Sequence, residues 1–101
     1  MAYLTIHKLT GDPTDLLGRK QARFDPVVNR LAPQYGAIST VTGPTGDGLV
    51  IVNLWRERQG AEEFTQHPDV QEAQKASGLP TPSSFERYDG ASYKSLDSSS
   101  A

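Results

Sequence analysis

The chain has 101 residues, 36% hydrophobic and 22% charged, with a formal net charge of −2 and no cysteine. Its length supports one domain burying roughly 60–70% of its unfolded surface, which makes association with a second copy a natural supplement. Disulfides and thiolate metal sites are excluded, no Lys/Arg cluster gives the footprint of a nucleic-acid binder, and no apolar run nears the ~20 residues that span a bilayer.

The opening "MAYLTIHKL" does not read as a signal peptide, so a cytoplasmic location is expected. Residues 2–9, "AYLTIHKL", set Leu4 and Ile6 against Tyr3, Thr5 and His7, the alternation of a strand. "GDPTD" then supplies a helix start, with Asp12 as N-cap, Pro13 at the first helical position and Asp15 near the positive end of the helix dipole. Leu17, Phe24, Val28, Leu31 and Tyr35 form one amphipathic stripe, which should bend at Asp25-Pro26 and end at Pro33 and Gly36.

"AISTVT", residues 37–42, reads as a strand, and "GPTGDG", 43–48, as a turn into "GLVIVNLWRER", 48–58. That second strand is apolar on both sides. Ala61 and Phe64 begin another helical face, "HPD" at 67–69 interrupts it, and Val70, Ala73 and Ser77 continue it to a stop at Gly78. "LPTPSS" keeps the chain extended, and "SFERYDGASY", 84–93, reads as a last strand with a bulge or turn at Gly90.

The order is βαββαβ, a ferredoxin-like α+β fold with two helices on one face of a four-stranded antiparallel sheet. One domain over 1–95 and a polar, flexible tail over 96–101 are expected. With the first and third strands central, the aliphatic set Leu4, Ile6, Val50, Val52 and Leu54 is expected under the helices. Tyr3, Thr5, His7, Leu49, Ile51, Asn53 and Trp55 would then face outward. Such an open apolar face calls for cover, most simply the same face of a second copy, so a homodimer through the open sheet face is expected.

The segment "VIVNLWRERQGAEEFTQHPDVQEA" resembles the dimeric α+β barrel superfamily, in particular its antibiotic biosynthesis monooxygenase-like branch. A strand ending in Trp55, a charged turn, a helix carrying Phe64 and the "HPDVQEA" segment carry the resemblance. It implies two ferredoxin-like sheets paired into a barrel, with a small and often aromatic molecule bound in each protomer. Some members oxidise polyketide-derived phenols without metal or flavin. Others degrade haem through a histidine on the second helix, where this chain has Gln74-Lys75, so no haem ligation and no cofactor are expected. Trp55 matches the strand-end tryptophan that lines the pocket in several members.

The candidate catalytic residues are His7, Asn53 and Trp55, with Tyr3, Thr5, Ile51, Phe64 and His67 expected around the ligand. His7 titrates near neutral pH, as a base for a phenolic proton must. It is also the kind of strand histidine that packs and hydrogen-bonds. Asn53, a mid-strand amide among apolar neighbours, needs a partner, because an unpaired buried amide costs ~1–3 kcal/mol. Trp55 either stacks on a flat ligand or fills the barrel. His67 is better explained as a helix-junction residue before Pro68, and the two histidines are too far apart in sequence, without matching carboxylates, to suggest a metal. Arg56 and Arg87 are candidates for attracting an anionic ligand, whereas Glu62 and Glu63, adjacent on a helix, point in different directions and are no acid/base pair.

The first functional expectation is a homodimer that binds a small aromatic or polyketide-like molecule, acting as a cofactor-independent monooxygenase. The alternatives are a non-catalytic ligand-binding or accessory protein with a filled barrel, and a cofactor-free isomerase or lyase using His7 as base. A cavity of roughly 300 Å³ or more separates a site from a filled barrel.

Overall fold

The computed structural model describes residues 2–96. Strand β1 runs Ala2–Thr10, and helix α1, Pro13–Arg19, opens where the Asp12 carboxylate accepts the Asp15 N–H at 2.9 Å, an N-cap with Pro13 at its first position. A π-helical turn, Lys20–Phe24, links it to α2, Asp25–Leu31, and a 3-10 turn, Ala32–Tyr35, ends at Gly36 with φ 90°. The hairpin β2, Ala37–Pro44, and β3, Gly48–Trp55, precedes α3, Arg58–Gln66, α4, Pro68–Ser77, and β4, Ser84–Ala91. The tail expected over 96–101 lies, beyond Leu96, outside the described residues.

The irregularity expected at Asp25-Pro26 sits one turn earlier. Pro26 has no N–H to donate and its ring crowds the carbonyl one turn back, so an unbroken α-ladder cannot pass through it. The chain widens instead: the Asp25 N–H donates to the Lys20 carbonyl, five residues back. The "HPD" break falls where expected, and the His67 side chain accepts the Asp69 N–H at 3.0 Å to cap α4.

The four strands form one antiparallel sheet in the order β2-β3-β1-β4, with β1 and β3 central. Ile6 lies opposite Val52, Leu4 opposite Leu54, and Tyr3 opposite Trp55. On the outer side of β1 the pairing steps from Ala2–Ala91 to Tyr3–Asp89. Gly90, with φ 70°, is the extra residue of that bulge, a conformation glycine adopts without a Cβ clash.

The face assignment is the reverse of the expectation. Tyr3 and Trp55 are buried with Leu31, Ala32, Ala61, Phe64 and Val70, while Leu9 and Leu49 are buried with Leu16. Tyr3, Thr5, His7, Leu9, Leu49, Ile51, Asn53 and Trp55 therefore lie beneath the helices. The aliphatic set Leu4, Ile6, Val50, Val52 and Leu54 is only half-buried and shares the open face with Val41, 64% exposed, and Tyr88, 48% exposed. Both parities of β3 are apolar, so hydrophobicity alone did not distinguish its faces. What decides is shape: the rings of Tyr3 and Trp55 reach the helices across a gap that short aliphatic side chains leave unfilled. The open face is apolar as well.

Helix α3 crosses the 3-10 turn so closely that a Cβ on Gly60 would overlap the Tyr35 carbonyl oxygen, whereas Gly46 in the β2–β3 turn has open space around it. Gly60→Ala is expected to destabilise the fold by about 1–3 kcal/mol, the range of overpacking. Gly46→Ala is expected to leave the midpoint of urea unfolding unchanged.

Candidate functional site

Period-2 alternation gathers every odd-numbered residue of β1 and β3 on the surface that meets the helices. Between that surface and the helices lies a cavity of about 810 Å³. Its floor comes from all four strands, and its roof from the π turn, α2, α3 and α4.

Cross-strand register arranges the floor in rows. Trp55 and Tyr3 form one end. The next row is polar from edge to edge: Thr40, Asn53, Thr5 and Arg87 lie side by side on four strands. The third row carries Ile51, His7 and Phe85. Seven of the eight residues expected at the site, Tyr3, Thr5, His7, Ile51, Asn53, Trp55 and Phe64, line this one cavity. His67 does not. Capping α4 occupies its Nδ1, and its ring stands edge-on to Tyr35 at 6.2 Å, so its expected place at the ligand is corrected to a helix junction.

Each floor residue has a distinct environment. Asn53 finds its partner across the strand pair, where the Thr40 hydroxyl donates to its Oδ1 at 2.7 Å. Trp55 is 5% exposed and packs against Phe64 at 5.2 Å between ring centroids, tilted by 50°. His7 lies 4.6 Å from the Phe85 ring, and burial lowers its pKa below the ordinary 6.5, which keeps the imidazole neutral and able to accept a proton at neutral pH. Thr5 is 4% exposed, and its hydroxyl oxygen is buried without a hydrogen-bond partner among the described residues.

Lys20 is the residue that the sequence reading passed over. It lines the cavity with its side chain only 7% exposed, and its ammonium donates to Asp25 Oδ1 at 2.6 Å. The signal was available: Lys20 lies three residues after Leu17 and four before Phe24, on the apolar stripe of the helix, where a lysine is out of place. At the rim, the Arg87 guanidinium lies 5.6 Å from the Phe85 ring centre, and Glu62 pairs with Arg58 at 3.4 Å. Among the described residues no group of three or more His, Asp or Glu side chains is placed to hold a metal ion, and no helix is long and apolar enough to cross a membrane.

No protein-family model matches the sequence, and no curated protein is significantly similar to it. The fold is shared with solved structures. Rv0793 from Mycobacterium tuberculosis aligns with a TM-score of 0.68 at 18% identity, over 94% of this chain and 100% of that one. SnoaB, a cofactor-independent oxygenase from Streptomyces nogalater, aligns with a TM-score of 0.63 at 14% identity, over 94% of each chain. A dimeric ferredoxin-like protein from Jannaschia sp. CCS1 aligns with a TM-score of 0.62 at 12% identity, over 87% of this chain and 96% of that one. The chain thus has the ferredoxin-like α+β fold of antibiotic biosynthesis monooxygenase-like proteins, and at these identities the likeness is one of fold.

The buried, neutral His7 makes stability depend on pH. Because its folded pKa is depressed, the unfolded chain binds more protons below about pH 6.5, so stability is complete above that value and falls as pH drops through the folded pKa. Thermal unfolding between about pH 7.5 and about pH 5 is expected to show this loss, and His7→Gln is expected to flatten it.

Proposed function

We propose that the protein is a homodimer, paired through the open sheet face, in which each protomer binds a flat aromatic molecule in its cavity and oxidises it with O2, without a cofactor. The observation that carries this reading is the cavity itself: about 810 Å³, walled by Tyr3, Phe24, Trp55 and Phe64, with a neutral histidine in its floor. That volume lies within the roughly 300–1,000 Å³ of small-molecule sites and well above what a filled barrel leaves. The fold shared with SnoaB, itself a cofactor-independent oxygenase, supports the same reaction class.

The chemistry asks little of the protein beyond a base, orientation and a dry site. His7 accepts the acidic proton of a hydroxyanthracene-type substrate, leaving an electron-rich anion stacked against Trp55. O2 from solution then converts the activated ring CH2 of the keto tautomer to C=O and releases one water, which balances oxygen and electrons with no further reductant. Asn53, held by Thr40, presents its amide N–H2 to a substrate oxygen. An isomerase or lyase would use the same base without O2.

Dimerisation follows from the other face. Leu4, Ile6, Val50, Val52 and Leu54 together with Val41 and Tyr88 form an apolar surface that the chain's own helices do not cover. Full burial of such a side chain contributes about 1.5–3 kcal/mol relative to exposure, so self-pairing of a patch this size outweighs the cost of association. The dimeric Jannaschia protein has the same fold.

A second reading, a ligand-binding protein without catalysis, draws on one contact: the His7 ring is already engaged with Phe85, as a packing residue would be. Oxygen uptake with a hydroxyanthracene separates the two. Catalysis predicts uptake above background, reduced about 10²–10⁴-fold in His7→Ala and less in Trp55→Phe. Binding without uptake would leave the second reading. Independently, sedimentation velocity is expected to give a dimer at micromolar concentration and a monomer for Val52→Asp, because a charge there meets its symmetry mate across an apolar seam.

A further inference from the structure

The roof of the cavity carries a cation that the oxidation chemistry above does not use. Lys20 is 5% exposed, lines the cavity, and has one hydrogen-bond partner, Asp25, among the described residues. An ammonium has three donors, and among the described residues Asp25 takes one of them. Asp25 itself is not part of the cavity lining; the ion pair tethers Lys20 from outside while the side chain runs along the wall. The backbone makes the same point. Lys20 opens the π-helical turn, an irregularity that recurs at functional sites because it re-aims a side chain out of the α-helical register.

The charges around the cavity favour a negative occupant. Its titratable lining groups are Tyr3, His7, Lys20, Glu62 and Arg87. His7 is held neutral, Glu62 is engaged by Arg58 at the rim, and Arg87 makes no ion pair among the described residues. Lys20 is paired with Asp25 behind the wall, and among the described residues no free carboxylate lines the cavity. The floor adds Thr5, whose buried hydroxyl has no partner among the described residues and lies between Asn53 and Arg87 in the polar row. One step about χ1 exchanges its methyl and hydroxyl positions.

We propose that the cavity is selective for aromatic molecules bearing an oxyanion, with Lys20 Nζ binding that oxyanion and the Thr5 hydroxyl hydrogen-bonding the ligand from the floor. This rests on the reading of the cavity as a ligand site and specifies what it takes. A ring carboxylate and an ionised ring hydroxyl share the required chemistry. The first is a fixed anion, and the second exists only when the phenol is deprotonated.

The test is binding, so it stands apart from any oxidation. Anthracene-2-carboxylate and its neutral near-isostere anthracene-2-carboxamide are titrated into the 101-residue protein and followed by fluorescence. 4-Nitro-1-naphthol, whose absorption reports its ionisation, serves as the phenolate arm. Wild type is expected to bind the carboxylate about tenfold or more tightly than the carboxamide, the ordinary value of a hydrogen bond to a charged group. Lys20→Met should abolish that preference while leaving carboxamide affinity within about twofold, and Thr5→Val should weaken both probes by about threefold or more without lowering the unfolding temperature. Bound nitronaphthol is expected as the anion in wild type and as the neutral phenol in Lys20→Met. If Lys20→Met does not fold because Asp25 is left unpaired, Lys20→Met/Asp25→Leu removes both members of the pair and carries the same comparison. Equal wild-type affinity for carboxylate and carboxamide overturns the oxyanion inference and leaves the cavity reading standing. Failure of both the carboxylate and the carboxamide to bind overturns both.

Discussion

Antiparallel pairing of β1 with β3 at the centre of the sheet is the constraint on which the rest of the molecule depends. Their register places Tyr3 beside Trp55, Thr5 beside Asn53 and His7 beside Ile51, and period-2 alternation then commits those six residues to one surface. A slip of one residue on either strand would send that strand's ring and polar groups out to the open face and its aliphatic residues under the helices. The cavity, its histidine and its polar row follow from that single register. The apolar open face follows from it too, because it is made of the residues left over.

The two surfaces have different packing consequences. Aliphatic side chains at alternate positions make a flat layer, well suited to meeting an identical layer about 10 Å away, the spacing at which sheets stack. Rings make an uneven one. Trp55 and Tyr3 meet the helices at one end through Phe64 and Leu31, and Leu9 and Leu49 meet Leu16 at the other. Between these two contacts the shorter side chains Thr5, Ile51 and Asn53 do not reach the roof, and the space above them is the cavity. The hollow is thus spanned by two packed ends, which lets a chain of this size hold a pocket and remain folded.

Much of this was legible in the sequence, for local reasons. Element order, the Asp12-Pro13 start, the break at His67-Pro68 and the Gly90 bulge are each written in residues whose backbone preferences act within a turn. The set of residues lining the cavity was legible as well, because strand parity groups them whichever way they point. Which way they point was not. "LVIVNLW" is greasy on both sides, so the choice is made by the shapes of the helices that come to rest on it, and that information is spread over Leu16, Leu31 and Phe64. His67 was misplaced because capping uses the same nitrogen as binding, and only the distance to Asp69 tells them apart. Lys20 was missed for the opposite reason. A charged residue on an apolar stripe looks like noise until the stripe is seen to border a hollow.

The π turn at Lys20–Phe24 has a bearing on how such a protein changes over generations. A wide turn holds one more residue than the α-helical turn it replaces, so losing a single residue there would leave an ordinary turn and keep the flanking helical segments on their faces. The sheet would be untouched, and so would its open face. What would change is which side chain hangs over the hollow, so the chemistry of the roof is open to a one-codon deletion while the rest of the architecture keeps its place.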